Sequence, residues 1–476
     1  MNKKTTDIAI IIFIAVMFFV GIRYGMPDSR AVGSVSEERL LEIEESRSAS
    51  DDDLIDELFI NGTKAHKDDN TDQWLCEISG DFSGTESMSI SFRKRSPGVR
   101  LAFANRESLA IEEDEPLIII AYTPFRYKTY EIHLTTLPVM ELVYFGDIFN
   151  TEDAAAVFEG YSGKIHIRGA MTSEYPKKAY KLTLDEKCSF LDLRKDDDWI
   201  LYPAYNDQDR IRNVFSSNLW YESCAGDNGF KVKNGFEFRY IELFVNGHYS
   251  GLYALGYKPD QKQFEIGKGE YLYSKIKWGN MGYELQGSKT KKNESAAWQT
   301  LQEKFVYDIS SNTDLWLFVN YIAGFDNAGK NYYLALKKGD ISPVAVVCPW
   351  DMDLTWGNCH DGEAENKTGV NNIAFDTPCF MTEGFICQQL GENREKTVKM
   401  LQEKYSTLRE TYWSDEHLNE LMDEYEKEIF DSGAYARDIE LWSGSNHHDI
   451  SIGLSDFREF VLNRSDWMDH YMESLS

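Results

Sequence analysis

Four polar side chains in residues 326–353 could together bind a cation. Asp326 and Asn331 border a short loop that follows an apolar run, and Asp351 and Asp353 come directly after a second apolar run. Carboxylate and amide oxygens are the ligands that Mg²⁺ prefers, with waters and substrate phosphates as its further ligands. The residue types therefore indicate a divalent-cation site, provided that the chain brings these side chains together.

A hairpin would bring them together. Residues 315–323 are apolar over about two helical turns, residues 331–336 are aromatic-rich and strand-like, and residues 344–347 are typical of a buried strand. In an antiparallel pair the start of the first strand lies beside the end of the second. In an extended chain Asp351 and Asp353 also point to the same side.

The spacing of three of these residues matches a catalytic pattern. Protein kinases place an Asn five residues after the catalytic Asp, and a metal-binding Asp follows a short hairpin. Asp326, Asn331 and Asp351 occur in that order and at that spacing. The simpler alternative is that Asp326 and Asn331 cap turns while the two later aspartates face solvent.

A second hairpin carries basic residues that could contact phosphate. Strand patterns at 163–168 and 178–184 are joined by a loop with one glycine and two hydroxyl side chains. Alternation places Lys178 on the apolar face, where a lysine needs an anionic partner, and Lys181 on the opposite face. A solvated basic hairpin is the alternative. The candidate phosphate-binding residues are Arg168, Ser173, Lys178 and Lys181.

Composition limits the classes of function. The chain has 476 residues, 42% of them hydrophobic and 14% aromatic, which is enough for large cores in two folded units. The net charge of −29 argues against nucleic acid as a partner, because phosphate backbones need a basic surface. The seven cysteines include no CxxC pair, and the group Cys359, His360, Cys379 and Cys387 matches no zinc spacing, so we interpret them as structural thiols with at most one disulfide.

The N-terminal region predicts membrane attachment. Lys3 and Lys4 precede the apolar run Ile8–Ile22, and no small-residue cleavage site follows it. We therefore expect residues 1–26 to be an uncleaved signal anchor with the rest of the chain outside the cytoplasm, at the cell surface. A cleaved signal peptide is the alternative. Residues 27–54 are acidic and Ser-rich, which predicts a flexible linker with helical character over Ser36–Glu45.

The remainder predicts an α+β fold. Short strand-like runs with turn signals over residues 55–136 predict a small antiparallel, Ig-like β-sandwich module. Over residues 137–476 strands come first and helical patterns later, which predicts a two-lobed α+β domain.

The motifs of residues 137–475 together resemble the CotH family, the spore-coat kinases with an atypical protein-kinase-like fold. No single motif is decisive, but their order is that of the family. The matching motifs are Arg168-Gly169, Pro176-Lys177-Lys178-Ala179-Tyr180, Asp198-Trp199, Arg212-Asn213, Val245-Asn246-Gly247, Gly251-Leu252-Tyr253, Asp326 with Asn331, and Pro349-Trp350-Asp351-Met352-Asp353.

The resemblance implies ATP-dependent phosphorylation of Ser or Thr in a protein substrate, with Mg²⁺ or Mn²⁺. Asp326 would be the catalytic residue and Lys178 would contact phosphate, with Asn331 and Asp351 at the metal; we add Asp353 as a third candidate ligand. Near Tyr257 the family usually carries an acidic residue, whereas this chain has Lys258, which leaves the nucleotide contacts open. Two alternatives remain: a non-catalytic scaffold for adhesion or cell-wall binding, and a metal-dependent hydrolase, for which the sequence offers no general base other than His360.

Overall fold

The computed structural model describes residues 35–78, 89–103, 116–149, 152–169, 171–279, 282–287, 304–358, 373–378, 380–381 and 384–475. Two predictions lie outside these residues: the apolar run Ile8–Ile22, and the grouping of Cys359, His360 and Cys379. The helices of the described part include none that is both long enough and apolar enough to cross a membrane.

The described chain contains both helices and sheets, which confirms the expected α+β content. It divides into two compact units. The first comprises the described residues up to Val143 together with Glu242–Gly251 and Asp431–Ala436; the second comprises Tyr144–Ile241, Leu252–Phe430 and Arg437–Ser476. The domain boundaries drawn from the sequence stay predictions.

Two sheets of the first unit enclose one apolar core. One has three strands in the order β3-β2-β6, and the other has the order β4-β5-β9-β8-β7 with β1 also paired to β9. We expected only antiparallel pairs, but β1 and β5 both run parallel to β9. Long chain segments separate these partners, and parallel pairing needs such crossovers. The strands are β1 (Ser48–Ala49), β2 (Ile55–Ile60), β3 (Thr63–Lys64), β4 (His66–Lys67), β5 (Trp74–Glu77), β6 (Ile90–Lys94), β7 (Arg100–Phe103), β8 (Leu117–Tyr122) and β9 (Arg126–Thr135).

Helix α1 (Glu37–Glu45) lies in the segment for which the sequence predicted a flexible linker. The helix itself was expected, and Ser36 caps it by accepting a hydrogen bond from the backbone of Arg39. Leu40 and Ile43 are buried against apolar residues of β7 and β8. The described part of this segment, residues 35–54, is therefore more ordered than its acidic composition indicated, because two apolar side chains at helical spacing supply a packed face.

Seven strands form a closed barrel in the order β10-β11-β12-β13-β14-β16-β15. Strands β12 and β13 are the predicted basic hairpin, paired with Ile167 opposite Tyr180. Asn246 and Gly247, both with positive φ, form the predicted turn between β15 and β16. The strands are β10 (Val139–Phe145), β11 (Ala154–Phe158), β12 (Tyr161–Ile167), β13 (Tyr180–Cys188), β14 (Asp196–Tyr202), β15 (Phe238–Val245) and β16 (His248–Gly256).

A five-stranded sheet, β18-β17-β20-β21-β19, carries the predicted central hairpin. Strands β20 and β21 pair antiparallel with Tyr332 opposite Pro349, which confirms the hairpin. All six residues of β20 are buried, as the apolar run indicated. The strands are β17 (Tyr271–Lys275), β18 (Tyr283–Leu285), β19 (Val306–Tyr307), β20 (Tyr332–Lys337) and β21 (Val344–Pro349).

The helices of the second unit include Arg212–Ser223 and Ile309–Tyr321, and a group that begins at Phe385. Residues 315–321 of the apolar run before Gly324 lie in helix α3 (Ile309–Tyr321), which packs on β21. The others are α2 (Arg212–Ser223), α4 (Phe385–Glu392), α5 (Arg394–Arg409), α6 (Asp415–Glu426), α7 (Ala434–Leu441), which begins in the first unit, and α8 (Ser455–Ser474). Among the described cysteines, Cys76, Cys188, Cys224 and Cys348 are free thiols.

Candidate active site

The hairpin β20–β21 places the predicted metal ligands at its open end. Asn331 directly precedes β20, and its carbonyl accepts a hydrogen bond from the backbone N–H of Trp350 at 2.9 Å. Asn331 and Asp351 both have φ of 56°, in the left-handed region. The prediction that Asp351 and Asp353 point to the same side assumed an extended chain. The chain is not extended at Asp351, so that assumption is wrong.

Three asparagines that we had not predicted as site residues hold the loops around this open end. Asn327, which is 1% exposed, donates from Nδ2 to the carbonyls of Asn331 and Trp350 at 3.0 and 2.9 Å. It thereby ties the Asp326 loop to the end of β21. The other two bind the segment after β21: Asn213 Oδ1 accepts from Met352 N at 2.9 Å, and Asn206 Nδ2 donates to Asp353 Oδ2 at 2.8 Å.

Asp326 begins a single turn of 3₁₀-helix, Asp326–Ala328, after helix α3. Its carboxylate Oδ2 lies 2.7 Å from Lys330 Nζ, one helical turn further along the chain. In contrast, neither the Asp351 carboxylate nor the side-chain amide of Asn331 makes a hydrogen bond or ion pair with any residue that the structure describes. These two groups are available to a ligand.

The three aspartates are close enough to influence one another. Burial raises the pKa of Asp351, with the charge of Asp326 adding to the increase and that of Arg168 opposing it. Burial and the charge of Asp351 raise the pKa of Asp353 to about 7, against the hydrogen bond from Asn206. Because neighbouring carboxylate charges raise the pKa values of Asp351 and Asp353, the cluster carries negative charge that a cation would neutralise.

Tyr202 is a further polar residue next to these carboxylates. It is the last residue of β14, and its hydroxyl is buried without a hydrogen-bond partner in the described chain. Burial raises the pKa of Tyr202 well above its ordinary value, and the charges of Asp353, Asp207 and Asp351 add to the increase. The phenol therefore stays protonated and can donate a hydrogen bond. The sequence carried no signal for it beyond its position in an apolar strand.

The predicted phosphate-binding residues divide into two groups. The Arg168 guanidinium lies over the Trp350 ring, 5.4 Å from its centroid, and thus beside Asp351. Lys181 Nζ lies 3.4 Å from Asp198 Oδ1. Lys178 precedes strand β13 instead of lying in it, so the alternation argument does not apply to it, and its Nζ donates to the carbonyl of Ser173 at 2.8 Å. Lys178 and Ser173 thus contact each other within the loop before β13.

Lys177, the neighbour of Lys178, is the lysine that is enclosed. Its side chain is fully buried, and Nζ donates to Asp438 Oδ1 at 2.6 Å and to the carbonyl of Leu252 at 2.5 Å. Asp438 also accepts from Arg210 Nε at 2.9 Å. Lys177 is therefore part of a buried charge cluster with Asp438 and Arg210. The sequence could not separate the two lysines, because the partner lies 261 residues further along the chain.

The described residues contain no group of three or more His, Cys, Asp or Glu side chains arranged to hold a metal ion. The donor chemistry nevertheless fits a hard cation. Asp351 and Asn331 offer oxygen atoms that have no partner among the residues with described positions, and Asp353 adds a second carboxylate. Mg²⁺ is commonly held by one or two carboxylates and completed by substrate phosphates and water. The site thus has the ligands for a cation that arrives with a phosphate-bearing substrate.

Comparison with known proteins gives one family. The family model described as CotH kinase protein matches residues 165–312 and 288–468, which is more than half of the chain. No curated protein matches the chain. The matched segments include Asp326, Asn331 and Asp351, and also the basic residues Arg168 and Lys178.

Proposed function

The chain belongs to the CotH kinase protein family, and from that premise we propose that it transfers the γ-phosphoryl group of ATP to Ser or Thr of a protein substrate. The observation that carries the proposal is the open end of the β20–β21 hairpin. There the Asp351 carboxylate and the Asn331 side-chain amide lack partners in the described chain, and Asp326 lies close enough to raise the pKa of Asp351. The two-lobed protein-kinase-like architecture and the Ig-like sandwich are part of the same proposal.

Each residue has a distinct role in this proposal. Asp326 accepts a hydrogen bond from the acceptor hydroxyl and orients its oxygen, while Lys330, 2.7 Å away, holds the carboxylate in place. Asp351 and Asn331 would hold Mg²⁺ or Mn²⁺, with Asp353 as a further ligand. A bound divalent cation would supply positive charge to the oxygens of the phosphoryl group. Arg168, whose planar guanidinium suits phosphate oxygens, faces the same region from above Trp350.

The proposal is tested with matched substitutions in one hairpin. Asp351→Asn keeps the shape of the side chain and its tolerance of left-handed backbone but removes the charge. Asp340→Asn makes the same change at an exposed position in the β20–β21 turn. Phosphate incorporation from labelled ATP in the presence of Mg²⁺ or Mn²⁺ should be lost in the first variant and unchanged in the second.

A binding assay separates catalysis from a non-catalytic scaffold. A ligand that binds only the native state raises the thermal unfolding midpoint. ATP with Mg²⁺ should stabilise the wild type and should stabilise Asp351→Asn less. If Asp351→Asn transfers phosphate as fast as the wild type, the assignment of the site is wrong. If ATP with the metal has no effect on the wild type, the scaffold alternative is favoured.

We also propose that the protein works attached to a membrane, on its outer side. The support is the apolar run Ile8–Ile22 behind Lys3 and Lys4, without a small-residue cleavage site after it. N-terminal sequencing of the protein from its native source tests this proposal. A chain that begins between Gly21 and Ser34 would indicate a removed signal peptide instead of an anchor.

A further inference from the structure

Lys258 is a half-buried cation without a hydrogen-bond or ion-pair partner in the described part of the chain. It follows strand β16, and its side chain makes no hydrogen bond or ion pair with any residue that the structure describes. Burial lowers its pKa, and the nearby charges of Lys181 and Arg168 lower it further. A partly desolvated ammonium group beside other cations costs free energy. Folding alone gives no reason for a lysine at this position, whereas an anionic ligand would.

Strand register explains why the three cations lie together. Lys181 of β13 is opposite Ile200 of β14, and Ile200 is opposite Gly256 of β16. Lys258 comes two residues after Gly256, the last residue of β16, so it lies just beyond the end of this row. Arg168 approaches from the other side, because its backbone N–H donates to the carbonyl of Ala179 at 2.9 Å, just before β13.

The acids nearest to Lys258 are engaged elsewhere. Asp198 accepts from Thr183 Oγ1 at 2.7 Å and lies 3.4 Å from Lys181 Nζ. Asp260 lies 3.2 Å from Arg194 and accepts from the backbone of Gln263 at 2.8 Å. Both acids offset part of the positive charge, but neither forms an ion pair with Lys258.

Arg168 connects this group of cations to the candidate metal ligands. Its charge acts on Lys258 on one side and on Asp351 on the other, and its guanidinium lies over Trp350, the residue before Asp351. A ligand that reaches both places must carry several negative charges along its length, with one end at a cation site. A chain of phosphates has this character.

We propose that Lys258, together with Arg168 and Lys181, forms a polyphosphate-binding site that receives the phosphate chain of the nucleoside triphosphate. The inference rests on the proposed phosphotransferase function for the identity of the ligand. The site itself is defined by charge and strand register. Lys258 is a binding residue in this proposal and takes no part in proton transfer.

The test measures binding of inorganic tripolyphosphate to the full-length protein by calorimetry without divalent metal. Lys258→Gln should weaken binding by about tenfold or more, the effect expected for loss of one charge-assisted contact, and Lys258→Arg should retain it. Lys268→Gln is the matched control, since Lys268 is an exposed lysine in the same β16–β17 connection. Its affinity should equal that of the wild type.

Folding and catalysis are controlled separately. Lys258→Gln removes a partly buried charge that lacks an ion-pair partner among the described residues, so its thermal unfolding midpoint should be equal to or higher than that of the wild type. Equal tripolyphosphate affinity of wild type and Lys258→Gln would overturn the inference, and so would a wild type that does not bind tripolyphosphate. Phosphate transfer by Asp351→Asn would refute the proposed catalytic site alone, because the tripolyphosphate assay needs neither metal nor turnover.

Discussion

The buried cluster of Lys177, Arg210 and Asp438 yields a quantitative prediction about the adjacent lysines 177 and 178. The side chains of all three cluster residues are fully buried, and the two cations share the one carboxylate of Asp438. Burial lowers the pKa of Lys177 to about 8, and the charge of Arg210 lowers it in the same direction. The difference from the ordinary value of 10.5 corresponds to about 3 kcal/mol for keeping Lys177 charged at neutral pH.

Two substitutions in this cluster should differ strongly in their effects. Lys177→Met removes that free-energy cost but loses two charge-assisted hydrogen bonds, each worth about 1.5–3 kcal/mol, so the net loss of stability should lie between about 0 and 3 kcal/mol. Asp438→Asn leaves two buried cations without their carboxylate and should cost about 3–5 kcal/mol. Lys178→Met, which removes a partly exposed contact to a carbonyl, should change the free energy of unfolding least.

Urea unfolding of the full chain, followed by tryptophan fluorescence, measures these differences. The pKa of Lys177 is lower in the folded than in the unfolded chain, so between pH 8 and 10.5 the unfolded chain keeps a proton that the native chain has lost. This group therefore makes the stability rise with pH across that window. Lys177→Met should lack this part of the rise. A Lys177→Met variant as unstable as Asp438→Asn would refute the reasoning.

Two further predictions concern packing and pH. Gly256→Ala should lower the thermal unfolding midpoint, at a cost of about 1–3 kcal/mol, because the added Cβ would lie 2.2 Å from Phe238 Cδ1 and 2.5 Å from the carbonyl of Glu237; an unchanged midpoint would contradict the described packing. Burial lowers the pKa of His448, but the hydrogen bonds to Asp209 and to the backbone of Asp449, together with the charges of Asp209 and Asp456, outweigh burial and raise it. This pair should stabilise the fold below pH 6.5 and lose that contribution as the pH rises through the raised pKa. Thermal unfolding across this range should show a weaker pH dependence in His448→Gln.

The central hairpin could be predicted because its signals are local. Two short apolar runs separated by a Gly-Asp turn give the strands, and the antiparallel geometry then places Asn331 beside Trp350. The aspartate–asparagine spacing also lies within a few residues. Short-range patterns of this kind predict the folded structure well because few long-range contacts override them.

The supporting contacts could not be predicted because they join residues far apart in sequence. Asn213 and Asn206 reach the segment after β21 across 139 and 147 residues, and nothing in their own neighbourhood indicates a site. Lys177 and Lys178 have the same local pattern, and only the distant Asp438 distinguishes them. Strand alternation failed at Asp351 because the left-handed turn there has no signal in a single sequence.

The left-handed backbone at Asn331 and Asp351 also affects what an alignment of relatives could reveal. Only glycine, asparagine and aspartate adopt this conformation readily, so the backbone alone restricts which residues evolution can place at these two positions. An inactive descendant that kept the hairpin would still tend to carry one of these three residues. Invariance at these positions would therefore report the shape of the turn as much as chemistry, and drift from aspartate to asparagine or glycine at 351 would be the signature of lost catalysis.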